Sequence, residues 1–145
     1  MKHFIHQNRN VFFVIMLFVA SCFSPRRSIA IQEGWELLGE EKVDFVRDKD
    51  ILMVNSNTLF TAIQFKVENK EVRLNELKIY FDNGDKLEPA VDEDIQPGQT
   101  SREIELGGEG RHIKQIEFKY RTVGSLVKGR ANVLVFGRKY YRPQY

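Results

Sequence analysis

Two short acidic stretches carry the side chains of this sequence with the clearest potential for chemistry. Four aspartates stand close together in them: Asp82, Asp85, Asp92 and Asp94. Because Ca²⁺ binds carboxylate and carbonyl oxygens, these side chains are candidate calcium ligands. Their spacing does not match an EF-hand loop, and Asp82-Asn83-Gly84-Asp85 is also typical of a hairpin turn. The sequence therefore leaves two interpretations, calcium ligands or exposed turn residues.

The same carboxylates offer a second kind of chemistry. Glycoside hydrolysis uses two carboxyl groups about 5–10 Å apart in a cleft, and Asp82, Asp85 and Asp92 are the candidates. The sequence gives no distance between them. A small hydrolase acting on envelope polysaccharide is therefore an alternative hypothesis.

This chain has few of the residues that nucleophilic catalysis or a transition-metal site requires. His112 is the one histidine after residue 30, and Cys22 is the only cysteine. A serine or cysteine nucleophile needs a base within hydrogen-bond reach, most often a histidine, and a zinc site needs several histidines or cysteines. We expect no catalytic residue and no cofactor.

Aromatic and basic residues near the two ends of the chain form a further candidate site. Its members are Trp35, Arg138, Tyr140, Tyr141 and Arg142. Aromatic rings bind sugar faces, and arginine beside tyrosine binds anionic groups. The alternative is that Trp35 is a core anchor and that the segment from Lys139 to Tyr145 is a frayed or loosely docked terminus.

The first thirty residues have the pattern of an export segment. Lys2 and Arg9 precede an apolar run over residues 11–20, which is typical of a signal peptide. A membrane-spanning helix needs about 20 apolar residues, so this run is too short to be one. We expect residues 1–30 to direct export, residues 31–139 to form one domain and residues 140–145 to be a tail.

Two cleavage sites compete within this segment. Val19-Ala20-Ser21-Cys22 resembles the bacterial lipoprotein box, in which Cys22 is lipidated, becomes the mature N-terminus and anchors the chain to a membrane. Ser28-Ile29-Ala30 has small residues at the positions that signal peptidase reads, and cleavage there would release a domain beginning at Ile31. Arg26 and Arg27 lie between the apolar run and this second site, an unusual place for positive charge, and favour the first.

The net charge is close to neutral, at +2, although acidic residues predominate up to Gln99 and basic residues from Thr100 onward. One interpretation places acidic early strands beside basic late strands, where opposed pairs stabilise by about 0.2–1 kcal/mol each. The other is a basic face, including Arg138, Lys139 and Arg142, that meets anionic envelope polymers or lipid headgroups. A nucleic acid partner is not expected for an exported chain of this charge.

The elements that must position these residues are short strands. Apolar residues alternate with others from Leu59 to Val67, the period of a strand with one buried face. The phase of the pattern slips at Asn75-Glu76 and again after Ile113, which predicts bulges or breaks.

Turn signals separate the alternating runs. Asn83-Gly84 predicts a type I′ hairpin turn, and Pro97-Gly98 predicts a type II turn. Further strands are expected at residues 35–38, 42–46, 51–54, 86–91, 102–106, 111–123 and 131–136. The predicted fold is all-β, an antiparallel two-sheet sandwich of about eight or nine short strands, with the jelly roll as one candidate topology.

Four sequence motifs and their order along the chain indicate a resemblance to a known family. They are Trp35-Glu36-Leu37-Leu38-Gly39, Ile95-Gln96-Pro97-Gly98-Gln99-Thr100, the run from Arg111 to Phe118, and Ala131-Asn132-Val133-Leu134-Val135-Phe136-Gly137. In this order the chain resembles a family of small exported bacterial proteins classed as a domain of unknown function. The resemblance implies export and a small β domain, and it implies no activity.

The sequence as a whole favours a non-enzymatic protein of the cell envelope. We expect it to bind a protein partner or a surface glycan, with membrane attachment if Cys22 is modified. The alternatives are the polysaccharide hydrolase and a structural or stress-related envelope component without a small ligand.

Overall fold

Alternating apolar side chains build nine strands within the part of the chain that the structure describes. The computed structural model describes residues 27–43, 49–122 and 130–144. In these ranges no helix is long and apolar enough to cross a membrane. The strands are β1 (Trp35–Val43), β2 (Lys49–Met53), β3 (Phe60–Glu68), β4 (Val72–Phe81), β5 (Lys86–Leu87), β6 (Glu93–Ile95), β7 (Ile104–Glu105), β8 (Ile113–Thr122) and β9 (Ala131–Lys139).

The strands form two antiparallel sheets. The four-stranded sheet has the order β1-β9-β3-β7, and the five-stranded sheet has the order β2-β8-β4-β5, with β6 also paired to β4. The predicted all-β, two-sheet sandwich is therefore confirmed.

The main core lies between the inner faces of the two sheets. Phe65 of β3 and Phe118 of β8 meet there edge to face, with ring centroids 5.5 Å apart. Both rings are almost fully buried. Edge-to-face aromatic pairs add about 0.5–1.5 kcal/mol to the gain from burial, so this contact joins the two sheets at a central point.

Both predicted slips in periodicity are β-bulges. The register between β4 and β8 shifts between Leu74 and Glu76, and shifts again where Tyr80 and Phe81 face Gln115 and Ile113. An extra residue on one strand restores the inward direction of the apolar side chains beyond it.

One predicted turn is confirmed and the other is corrected. Gly98 has φ +83° and the Gln99 N–H donates to the Gln96 carbonyl at 3.0 Å, as a type II turn requires. At the hairpin between β4 and β5, only the glycine of Asn83-Gly84 has positive φ, at +90° for Gly84. The turn is therefore not type I′. The loop is one residue longer than the two-residue loop of a type I′ turn, and it ends in a glycine with left-handed backbone conformation.

Strand boundaries differ most from the predictions in two places. The expected separate strands over residues 35–38 and 42–46 are one strand, β1, with a bulge between Leu37 and Gly39. The expected strand over residues 86–91 ends at Leu87, and an unpredicted β6 follows it. Pro89 lacks the N–H that a ladder needs, which accounts for the early end of β5.

The outer face of the four-stranded sheet carries a second apolar cluster. Its buried members are Trp35, Ala62, Leu134 and Phe136, and Ile29 and Leu37 pack against them. The chain before β1 lies over this cluster, and we call residues 27–34 the strap. Because the strap covers one face of β9 and the core covers the other, β9 is buried on both faces.

A partly buried acidic side chain marks the edge where β1 approaches β2. Burial, followed by the charge of Asp50, raises the pKa of Glu41 above its ordinary value, and the Tyr120 hydroxyl donates to Asp50 at 2.6 Å. A raised folded-state pKa means that the folded protein binds this proton more tightly than the unfolded chain does. Glu41 therefore lowers stability once the pH rises above its unfolded pKa of about 4.5.

We expect Glu41→Gln to stabilise the protein at neutral pH. The gain should be a fraction of 1 kcal/mol, since solvent still screens a carboxylate that is only partly buried, and it should vanish well below pH 4.5. Urea unfolding at both pH values measures it, with the exposed loop variant Glu109→Gln as control. An equal gain at the two pH values would contradict the ionisation argument.

Candidate functional site

The strap and the sheet beneath it border an open groove of about 430 Å³. We call it the outer-face groove. Three parts of the chain line it: the strap, the outer face of β1, β3 and β9, and the turn before β7. The lining residues are Ala30, Gln32, Trp35, Gln64, Lys66, Gly98, Gln99, Thr100 and Phe136.

The strand register sets the apolar floor of the groove. Phe136 of β9 lies opposite Gln64 of β3 and opposite Leu37 of β1. Trp35 lies two residues from Leu37 on the same face of β1, since alternate residues share a face. Trp35 and Phe136 are 8% and 7% exposed, and both residues line the groove.

A buried serine holds the polar groups on one side of the outer-face groove in place. Ser101 is 3% exposed, and its Oγ accepts a hydrogen bond from the Phe65 N–H at 3.0 Å and donates to the Arg102 carbonyl at 2.8 Å. The Ser101 carbonyl accepts from Gln64 Nε2 at 2.7 Å. This bond holds the Gln64 amide in one orientation and leaves its oxygen as an acceptor beside the floor.

Lys66 supplies positive charge to the groove. Glu68, two residues along β3 on the same face, is an ion-pair partner of Arg27 instead. Within the described ranges, no carboxylate pairs with Lys66. Its ammonium is therefore a donor that an anionic ligand can meet without first displacing an internal partner.

The strap is fixed at both ends. At its start, Arg27 pairs with Glu40 of β1 at 2.7 Å and with Glu68 of β3, and the hydrogen bond to Glu40 is the main cause that raises the pKa of Arg27. At its end, the Trp35 N–H donates to Gln32 and the Lys139 N–H to Gly34, at 3.1 and 2.8 Å.

The structure brings together two of the predicted aromatic and basic residues, Trp35 and Arg138. The Arg138 guanidinium lies 6.0 Å from the centre of the Trp35 ring. It also pairs with Glu103 and Glu105 and donates to Thr61 Oγ1 at 3.1 Å. Arg138 is thus engaged by carboxylates of its own chain, in contrast to Lys66.

Of the five predicted contact residues, Trp35 lines the groove, whereas Arg138, Tyr140, Tyr141 and Arg142 lie outside its lining. The Tyr140 N–H donates to the Leu59 carbonyl at 2.8 Å, so the chain is docked beyond β9. Tyr141 is 68% exposed and Arg142 is exposed too.

The four predicted calcium ligands fall at opposite ends of β4. Asp82 and Asp85 flank the turn after β4, whereas Asp94 pairs across from Arg73 at the other end. At about 3.3 Å per residue the two ends are roughly 25 Å apart. Arg73 holds Asp92 with two hydrogen bonds of 2.9 Å. No group of three metal-ligating side chains forms within the described ranges, and the four aspartates do not share one site.

A second cleft of about 820 Å³ lies at the end of the sandwich beside Asp82, Asp85 and His112. Its main cation, Arg111, pairs with Asp85 at 2.6 Å and lies 3.5 Å from the centre of the Phe81 ring. The same separation along β4 places Asp92 far from this cleft, whereas Asp82 and Asp85, the other two hydrolase candidates, both line it.

Sequence reasoning missed most of the groove. Gln64, Lys66, Gln99, Thr100 and Phe136 were not among the candidates. One signal was available, because the run Val133-Leu134-Val135-Phe136 is apolar at every position, which indicates a strand buried on both faces. Cys22, the predicted lipidation site, lies outside the described residues.

Comparison with known proteins identifies the family. No curated protein and no solved structure matches the chain. The profile of one family, described as a domain of unknown function, DUF2541, matches residues 11–137, which include all four motifs behind the resemblance noted from the sequence. The chain therefore belongs to the DUF2541 family, a domain of unknown function.

Proposed function

We propose that this protein is a non-catalytic binding module of the cell envelope and that the outer-face groove binds an acidic glycan. One observation carries the proposal: an apolar floor of Trp35 and Phe136 lies beside Lys66, a cation that no carboxylate of the described residues pairs with. Aromatic side chains suit the apolar faces of sugar rings. A lysine without an internal partner suits a carboxylate on such a ring.

The amides around the floor supply the remaining chemistry. Gln64 is held by its bond to Ser101, and Gln32, Gln99 and Thr100 line the same groove. Side-chain amides and hydroxyls both donate and accept, as sugar hydroxyls require. The groove is open on one side, which suits an extended polymer.

We further propose that the chain reaches the envelope through its N-terminal export segment and that Cys22 anchors it to a membrane. Four residues lie between Cys22 and Arg27, so the two Cα atoms are at most about 17 Å apart when this segment is fully extended. Such an anchor would keep the strap, and with it the outer-face groove, close to the membrane surface.

Trp35 provides a direct readout of ligand binding because it is the only tryptophan in the chain. We expect a trimer of galacturonic acid, an acidic sugar, to change the Trp35 fluorescence. The affinity should fall as ionic strength rises. A neutral N-acetylglucosamine trimer should bind more weakly.

Lys66→Gln tests the role of the cation. We expect about a tenfold weaker affinity for the acidic trimer, the loss of one charge-assisted hydrogen bond. Lys114→Gln, an exposed lysine on the five-stranded sheet, is the matched control and should bind as the unmodified protein does. Equal affinities of the two variants, or no response to either trimer, would contradict the proposal.

A further inference from the structure

We infer that the mature protein retains residues 27–30, so that cleavage of the export segment occurs before Arg27 and not after Ala30. This inference rests on the proposed export. It makes the strap an integral part of the folded domain and of the outer-face groove.

The first observation is the way Arg27 joins two strands. Its guanidinium pairs with Glu40 of the edge strand β1 and with Glu68 of β3, which lie on either side of β9 in the sheet. The arginine therefore bridges the full width of these three strands. Cleavage after Ala30 would remove the one cation that pairs with these two glutamates in the described structure.

The second observation is the apolar cover that the strap provides. Ile29 packs against the cluster of Trp35, Leu134 and Phe136 on the outer sheet face. Leu134 is fully buried although it points away from the core between the sheets. A chain beginning at Ile31 would lack Ile29 and expose part of this cluster to water, at a cost proportional to the apolar area exposed.

The third observation concerns the groove itself. Ala30 lines it together with Gln32, so residues on both sides of the alternative cleavage site contribute to one wall. A new, charged N-terminus at Ile31 would stand in this wall beside Trp35. Cleavage after Ala30 would thus remove part of the site that the proposed function needs.

Mass spectrometry of the N-terminal peptide tests the inference in cells that express the full chain. A mature terminus at or before Arg27 is the expected result, and a terminus at Ile31 would overturn the inference. An uncleaved chain beginning at Met1 would contradict the proposed export and, with it, the cleavage inferred here.

A pair of substitutions tests the packing of the strap independently of export. Ile29 is partly buried whereas Ile31 is 49% exposed, so Ile31→Asp is the matched control for Ile29→Asp. We expect Ile29→Asp to lower the melting temperature by roughly 5 °C and to shift the Trp35 emission to longer wavelength, as water reaches the ring. Ile31→Asp should leave both nearly unchanged. Equal effects of the two variants would overturn the inference without bearing on glycan binding.

Discussion

Replacing Phe65 with alanine should lower the free energy of unfolding by about 3–5 kcal/mol, the typical cost of removing a buried aromatic ring. Phe65 is 1% exposed, and its ring meets Phe118 of the opposite sheet at 5.5 Å. The substitution would leave a cavity between the two sheets that close-packed neighbours fill only in part. Since domains are stable by about 5–15 kcal/mol, this is a large share of the total.

Urea unfolding followed by circular dichroism measures this loss. Tyr141→Ala is the control, because Tyr141 is 68% exposed and surface substitutions usually change stability by less than about 0.5 kcal/mol. A cost for Phe65→Ala as small as that of the control would contradict the placement of this ring at the centre of the core.

Gly137→Ala should cost about 2–3 kcal/mol, at the upper end of the usual range for overpacking. A Cβ at Gly137 would lie 2.5 Å from Phe60 Cδ1 and 3.0 Å from Phe60 Cγ. Phe60 is fully buried, so its ring has no free space to move into. The absent side chain of Gly137 is thus what lets the Phe60 ring lie against β9.

A second substitution at the contact distinguishes this clash from a general preference for glycine. In the Phe60→Leu background, Gly137→Ala should cost less than in the unmodified protein, because the ring that it meets is gone. Gly108→Ala, where a Cβ meets nothing within 4 Å, should be nearly neutral. The same cost for Gly137→Ala in both backgrounds would show that Phe60 is not the cause.

The sandwich could be predicted from the sequence because its strands have one buried face, and a period of two identifies such strands. Even the bulges near Asn75 and Lys114 are visible as a change of phase. The boundaries of β1 and β5 were predicted wrongly, since a bulge within a strand looks like a break and an early strand end depends on a single proline.

The outer-face groove could not be predicted, because its parts come from distant stretches of the chain. Gln64 belongs to β3, Phe136 to β9 and Thr100 to the turn before β7. Only the antiparallel register brings these side chains together. The four calcium candidates do not share one site for the reverse reason: the acidic stretches are close in sequence, but the length of β4 separates them.

The position of Trp35 was predicted only in part from the sequence. The alternatives were a sugar-binding ring and a core anchor, and the structure buries the ring on the outer sheet face, outside the core between the sheets. An apolar cluster on that face is visible only once the strap is known to cover it.

Amide chemical shifts, mapped during titration with the galacturonic acid trimer, would locate the binding site on the sandwich. We expect the shifts to change along the strap and around Gln64, Lys66, Gln99 and Phe136, while the hairpin end near Asp82 and His112 stays unaffected. Changes confined to that hairpin end, or no changes at saturating trimer, would contradict the assignment of the outer-face groove as a glycan site.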